Sequence, residues 1–423
     1  MKTGNFIEII SQWLSGQLRI AMRKDEKIRN AILIGGLCSL AYLAVYFARN
    51  ILSAVTPQIT EQGILTTEFI GSVSSTYFVC YAFGQLINGA VGDKIKARYM
   101  ISFGLILAGI CNFCFANMTD SPAAVRVIYG MTGLFLSMIY GPMTKVVAEN
   151  TEPVYATRCS LGYTFASFFG SPLAGVAAAV LTWQSVFAVS SIILVIMGLL
   201  CFLAFLLLEK RGIVRYNQYR KEKEEGAGIT ILIQHRIIKF IIVALLTGVI
   251  RTSVVFWLPT YISQYLGYRS DKSAAIFTVV TFVISMNTFV AIFVYECFGR
   301  DMDKTIRVAF TTSALSFMGV YLVHQPVVNI ILMVVAIMAS NSAATMMYSR
   351  YCPGLRDTGM VSAATGFLDF VSYMAAAAAS YIFANAVSVI GWEKLILVWF
   401  GLMVVGIIFW LPDKLIGFGK KSS

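Results

Sequence analysis

Residues 40–59 read LAYLAVYFARNILSAVTPQI, and Arg49 is the one charged side chain among them. The rest of the stretch is apolar, aromatic or uncharged. A guanidinium at the centre of a membrane-spanning helix costs about 2.5–3.5 kcal/mol on insertion scales. Such a residue snorkels, pairs with a carboxylate, or faces a wet cavity that holds an anion.

The rest of the chain sets that arginine in a membrane. Hydrophobic residues make up 58% of the 423 positions, charged residues 13%, and the mean hydropathy is +0.76. A soluble chain carries about a quarter charged residues. Uncharged runs long enough to span a bilayer recur at about 31–55, 66–91, 98–117, 122–147, 155–181, 184–208, 238–263, 272–298, 305–323, 326–349, 358–386 and 392–411. The expected fold is an all-α membrane protein of twelve transmembrane helices in two pseudo-symmetric six-helix bundles, 31–208 and 238–412. A polar linker, 209–237, joins them, and a short tail, 413–423, follows. Residues 1–30 are expected to form an interfacial lead-in, because Phe6, Ile9, Ile10, Trp13, Leu14 and Leu18 recur at helical spacing.

Basic residues orient the chain. Lys94, Lys96, Arg98, Arg158, the linker's Lys and Arg residues, Arg300, Lys304, Arg307, Arg350 and Arg356 fall on one side. By the positive-inside rule both termini are cytoplasmic, in a cell (inner) membrane protein. The net charge of +12 therefore reads as topology and attraction to anionic lipid, not nucleic-acid binding. The eight cysteines are scattered and imply no disulfide framework, and Cys111 and Cys114 lack a neighbouring histidine. No nucleophile–base pair or metal-ligand cluster stands out, so an enzyme, a metal and a cofactor are not expected. A monomer among membrane lipids is.

The second half echoes the first. Arg49 precedes Pro57 by eight positions, and Arg251 precedes Pro259 by eight, each in the first span of its half. Parallel repeats of this kind put a substrate site near the midplane between the halves. Tyr42, Tyr46 and Arg49, at i, i+4 and i+7, share one helix face.

NGAVGDKIKAR, residues 88–98, resembles the span-two to span-three loop of the major facilitator superfamily, with Gly89, Asp93, Lys94 and Arg98 at the usual spacing. Within that superfamily the chain is most similar to the organophosphate:phosphate antiporters. Tyr42, Tyr46 and Arg49 stand at that family's span-one spacing, and Arg251 matches its second phosphate-binding arginine. WLPTYI (257–262), GPMTK (141–145) and ATGFLDFVSYMAAAA (364–378) resemble its spans seven, four and eleven. The family's span-two lysine corresponds to Gln85 here, and its tyrosine one turn before the second arginine corresponds to Gly248. The resemblance implies alternating-access transport of a small organic anion, a phosphorylated metabolite, in exchange for phosphate. Arg49 and Arg251 would grip the phosphoryl group, with Tyr42, Tyr46 and Gln85 around it.

Other intramembrane ionisable groups carry open readings. Asp369 in span eleven is either a proton-binding group or a partner for an arginine. Arg126 either snorkels or adds a third positive charge to the cavity. Lys145 and Glu149, one turn apart, read as an ion pair or gate latch, and Asp93 as part of a loop latch. Anion:cation symporters of the same superfamily offer a rival resemblance through Arg126 and Gly130. That reading makes the chain a proton-coupled carboxylate symporter using Asp369. A non-transporting sensor on the same scaffold is the third reading.

Overall fold

The computed structural model describes the backbone of residues 4–92, 95–216, 233, 235–355 and 361–411. Side chains are described from residue 26 onward, except at 89–92, 153–154, 157, 161, 165 and 361–363. Asp93, most of the linker and the tail lie outside the described residues. Every long element is a helix. The first half comprises α1 (Gly4–Glu61), α2 (Thr67–Gly92), α3 (Ala97–Asn117), α4 (Pro122–Leu136), α5 (Tyr140–Asn150), α6 (Pro153–Val180) and α7 (Trp183–Lys210). The second comprises α8 (Ile237–Gly248), α9 (Val255–Gln264), α10 (Ser270–Ser285), α11 (Asn287–Cys297), α12 (Met302–Leu322), α13 (Pro326–Met346) and α14 (Val361–Phe409).

Among the described residues, ten segments are long and apolar enough to cross a membrane. Several are built from more than one helix. α4 and α5 form one span, Pro122–Asn150, and α10 and α11 another, Ser270–Cys297. α8 and α9 form a span joined by a π-helical turn, Val249–Val254. The last segment, Ala364–Phe409, holds two spans of the sequence reading. No loop separates them: Gly391, at φ 75° and ψ 170°, breaks the rod at one residue. That conformation is essentially reserved to glycine. With α2, 26 residues long, the described helices accommodate the twelve expected spans. The lead-in is not separate from span one either, since α1 continues through it unbroken.

Local sequence explains the ends. Pro122, Pro153 and Pro326 open their helices, where a missing N–H costs nothing. Thr182, Asp301 and Gln325 accept from the backbone N–H three residues on. Tyr140-Gly-Pro142 and Tyr351-Cys-Pro353 mark irregularities at corresponding places in the two halves. The first follows the α4–α5 break, and the second ends the π-helical turn Met347–Tyr351.

The exterior suits lipid. On α7, Ile192, Ile196, Leu199, Leu203 and Leu207 are exposed along one face, while Val186, Ser190, Leu194, Cys201 and Phe205 are buried. Such a stripe would be a liability in water and is ordinary against acyl chains. Polar pairs join helices inside: Asn112 donates to Ser190 at 3.0 Å and Asn88 to Ser137 at 2.8 Å. Arg98 at the start of α3 reaches Glu209 at the end of α7 (3.0 Å), and Tyr216 donates to the other Glu209 oxygen at 2.9 Å. Burial and the Glu209 carboxylate push the Tyr216 hydroxyl well above its ordinary pKa. The first residues of the linker are thereby tied to the first half.

The two broadest seams between the halves are α2 against α14 and α6 against α10, with α1 also packing on α9. Each tightens at a glycine near the end opposite the linker. A Cβ on Gly71 would collide with Ala384 and the Ser380 carbonyl, and one on Gly175 with Thr278 and the Ala274 carbonyl. The same end is stitched by Ser263 to Glu61 (3.2 Å) and Gln264 to Thr67 (3.2 Å). Ser53 donates to the Phe256 carbonyl at 2.5 Å.

Candidate functional site

Arg49 stands where α1 passes between the halves. Its Nη1 donates to the Tyr373 hydroxyl of α14 at 2.8 Å, across the seam. Its guanidinium carbon lies 4.9 Å from the Tyr373 ring centre, 5.2 Å from Tyr81, 5.5 Å from Tyr46 and 5.9 Å from Phe78. Aromatic faces stabilise a cation without neutralising it. The first guanidinium is thus caged and keeps its full charge.

Arg251 is carried on the π-helical turn of the α8–α9 span. Such turns insert one residue into a helix and re-aim what they carry. The cause is local. Gly248 packs so closely on α14 that a Cβ there would strike the Ser372 carbonyl. Just past that contact, Arg251 Nη2 lies 4.0 Å from Asp369 Oδ1, and its guanidinium sits 5.6 Å from the Tyr348 ring centre. Tyr348, on the second π-helical turn, donates to Asp369 Oδ1 at 3.2 Å. Arg251 and Asp369 are only partly covered, with side-chain exposures of 33% and 25%.

Tyr46 and Tyr373 lie within electrostatic range of both guanidiniums, and Asp369 does too. Tyr42 packs edge-on against Tyr46 (4.9 Å between ring centres) and tilts onto Tyr140 (5.5 Å). Gln85 lies one turn beyond Tyr81, in a small cavity of about 60 Å³ with Asn88, Ser137, Tyr140, Gly141 and Pro142.

The other sequence candidates lie elsewhere. Arg126 is exposed, donates to Ser72 at 3.1 Å and covers the Phe69 ring. Glu149 is buried, and its Oε2 has no hydrogen-bond partner among the described residues. It lines a cavity of about 360 Å³ at the linker end with Lys27, Asn30 and Arg215. Lys145 has partners of its own, and no ion pair joins it to Glu149 among the described residues. Asp93 falls outside the described residues.

Sequence reading passed over Tyr373, Tyr81, Phe78 and Tyr348. Two of these left a usable signal: Tyr77 and Tyr81, and likewise Asp369 and Tyr373, repeat at i, i+4 and so share a face. Tyr348 left none, because its direction depends on the π-helical turn.

Comparison with known proteins places the chain in a family. Residues 38–380 match the Major Facilitator Superfamily. The chain is 28% identical over 275 residues to a glycerol-3-phosphate transporter of Bacillus subtilis, covering 59% of this chain and 60% of that protein. It is 24% identical over 254 residues to the membrane sensor protein UhpC of Escherichia coli, covering 54% and 56%. The matched stretches thus span less than two thirds of these relatives' own lengths. In fold, the chain resembles the crystal structure of a bacterial homolog of the human lysosomal transporter Spinster, in an inward-facing, unoccupied conformation. The TM-score is 0.70 at 12% identity, over 90% of this chain and 96% of that one. Ten long apolar segments among the described residues, an all-helical fold and a family match over most of its length agree: this chain belongs to the major facilitator superfamily.

Proposed function

We propose that this chain is a secondary transporter of small phosphorylated organic anions, sugar or glycerol phosphates among them. It works by alternating access and takes inorganic phosphate in exchange. What supports this reading is an arginine from each half, Arg49 bonded to Tyr373 across the seam and Arg251 within Coulomb range of the same tyrosine. A guanidinium offers a planar fork of donors that matches phosphoryl oxygens. Tyr42 and Tyr46 hydrogen-bond the phosphate or stack on the organic part, and Gln85 with Asn88 reads hydroxyls. Resemblance to a glycerol-3-phosphate transporter supports the same class of cargo.

The two bundles, 31–208 and 238–412, rock about this chamber in a multi-pass protein of the cell (inner) membrane with both termini cytoplasmic. The protein acts as a monomer. With the end opposite the linker drawn together at Gly71 and Gly175, cargo reaches the arginines from the linker side. The test is exchange in proteoliposomes. Vesicles loaded with phosphate take up labelled external phosphate or glycerol phosphate with no pH gradient imposed. Uptake that needs a proton gradient and is lost in Asp369→Asn instead marks a proton-coupled symporter.

Likeness to a membrane sensor protein favours one second reading, a receptor that binds the same anion without carrying it. Saturable phosphate binding with no flux in either direction identifies that case.

A further inference from the structure

We propose that Asp369 is a resident counter-anion: it neutralises Arg251 when the chamber holds no cargo, and the incoming anion displaces it. This deepens the transporter reading above and rests on it.

The two guanidiniums are kept differently. Arg49 has a phenol and four aromatic faces as neighbours. Arg251 has Asp369 4.0 Å away, beyond hydrogen-bond length and well inside Coulomb range. Tyr348 accounts for that separation. Its hydroxyl donates to Asp369 Oδ1 at 3.2 Å, the same oxygen that faces Arg251. The carboxylate is therefore poised beside the guanidinium without closing on it, and Arg251 keeps its donors available. All three residues belong to the second half, so this pair is internal to one rocking body.

The consequence concerns coupling. With two bare arginines, a chamber carries a formal +2 and resists closing until an anion enters, which forces strict exchange. With Asp369 present the formal charge is +1, so the unloaded carrier closes more readily. Cargo first meets Arg49, then competes with Asp369 for Arg251. Asp369 therefore weakens binding and permits net transport in one direction alongside exchange.

The experiment uses the full chain and inorganic phosphate. Phosphate binding is measured on purified protein. Release from loaded proteoliposomes is then compared in phosphate-free medium and in phosphate medium. The wild-type protein is expected to release phosphate into both. Asp369→Asn is expected to bind phosphate about tenfold more tightly, and its release into phosphate-free medium should fall about tenfold relative to exchange. Tyr348→Phe frees the carboxylate to close on Arg251, so it should weaken binding by about three- to tenfold. It also carries the test if Asp369→Asn is not recovered folded. A merely structural role would weaken binding in both variants. Binding that Asp369→Asn leaves unchanged or weakens overturns the proposal, as does an unchanged ratio of net release to exchange. If neither wild type nor variant binds phosphate, it is the phosphate reading of the chamber that falls. If both bind without flux, the transporter reading falls, and the opposite signs of the two binding shifts still decide the counter-anion role.

Discussion

Arg49 has a fork of donors, and among the described contacts only one of them is spent inside the protein, on Tyr373. A lysine there would keep the charge and lose the fork and its stacking. Arg49→Lys is expected to cut phosphate exchange by about a hundredfold, roughly 2.7 kcal/mol, with the protein still eluting as folded. Near-normal exchange would remove Arg49 from the anion site. Tyr373→Phe deletes the hydroxyl that fixes the guanidinium. Hydrogen bonds to charged groups are worth about 1.5–3 kcal/mol, so a fall of about tenfold or more in phosphate affinity is expected. At this scale the sequence announced the arginines, because charge in an apolar run is conspicuous. It did not announce their keepers, because tyrosine in a membrane helix is common and says nothing about its neighbours.

At the level of elements, irregular helices do the aiming. The turn at Val249–Val254 presents Arg251 and the turn at Met347–Tyr351 presents Tyr348. Hydropathy sees each of these spans as one apolar rod, since a single inserted residue leaves composition unchanged. Gly391 was equally hidden: the sequence suggested a short loop before Trp392, and the chain turns on one left-handed residue instead. Gly391→Ala is expected to destabilise the protein by about 1–3 kcal/mol, read as a lower thermal midpoint in detergent. Gly36→Ala is the control. Gly36 lies in a regular helix with open space around its would-be Cβ, so that change should hold or raise the midpoint, glycine costing up to about 1 kcal/mol relative to alanine in a helix.

For the whole molecule, the proposed rocking makes the seams the control over which end is open. A larger residue at Gly71 wedges α2 away from Ala384 and Ser380 at the end opposite the linker. Gly71→Val is therefore expected to favour the state open at that end. A reporter cysteine, S263C, in a protein otherwise freed of cysteine should then react several-fold faster with a membrane-impermeant maleimide. An unchanged rate would mean that this crossing does not hold the gate.

The sequence by itself determined that this is a multi-span membrane protein of two related halves with an arginine inside the first span of each. Those features follow from hydropathy, charge and repetition, which are properties of the chain read in order and tested against lipid. Only the tertiary structure decided what surrounds each arginine: a cage of rings for Arg49 and a poised carboxylate for Arg251. Those surroundings join residues as far apart as Arg49 and Tyr373, 324 positions along the chain. They depend on close crossings and inserted helical residues that only packing between distant helices can set.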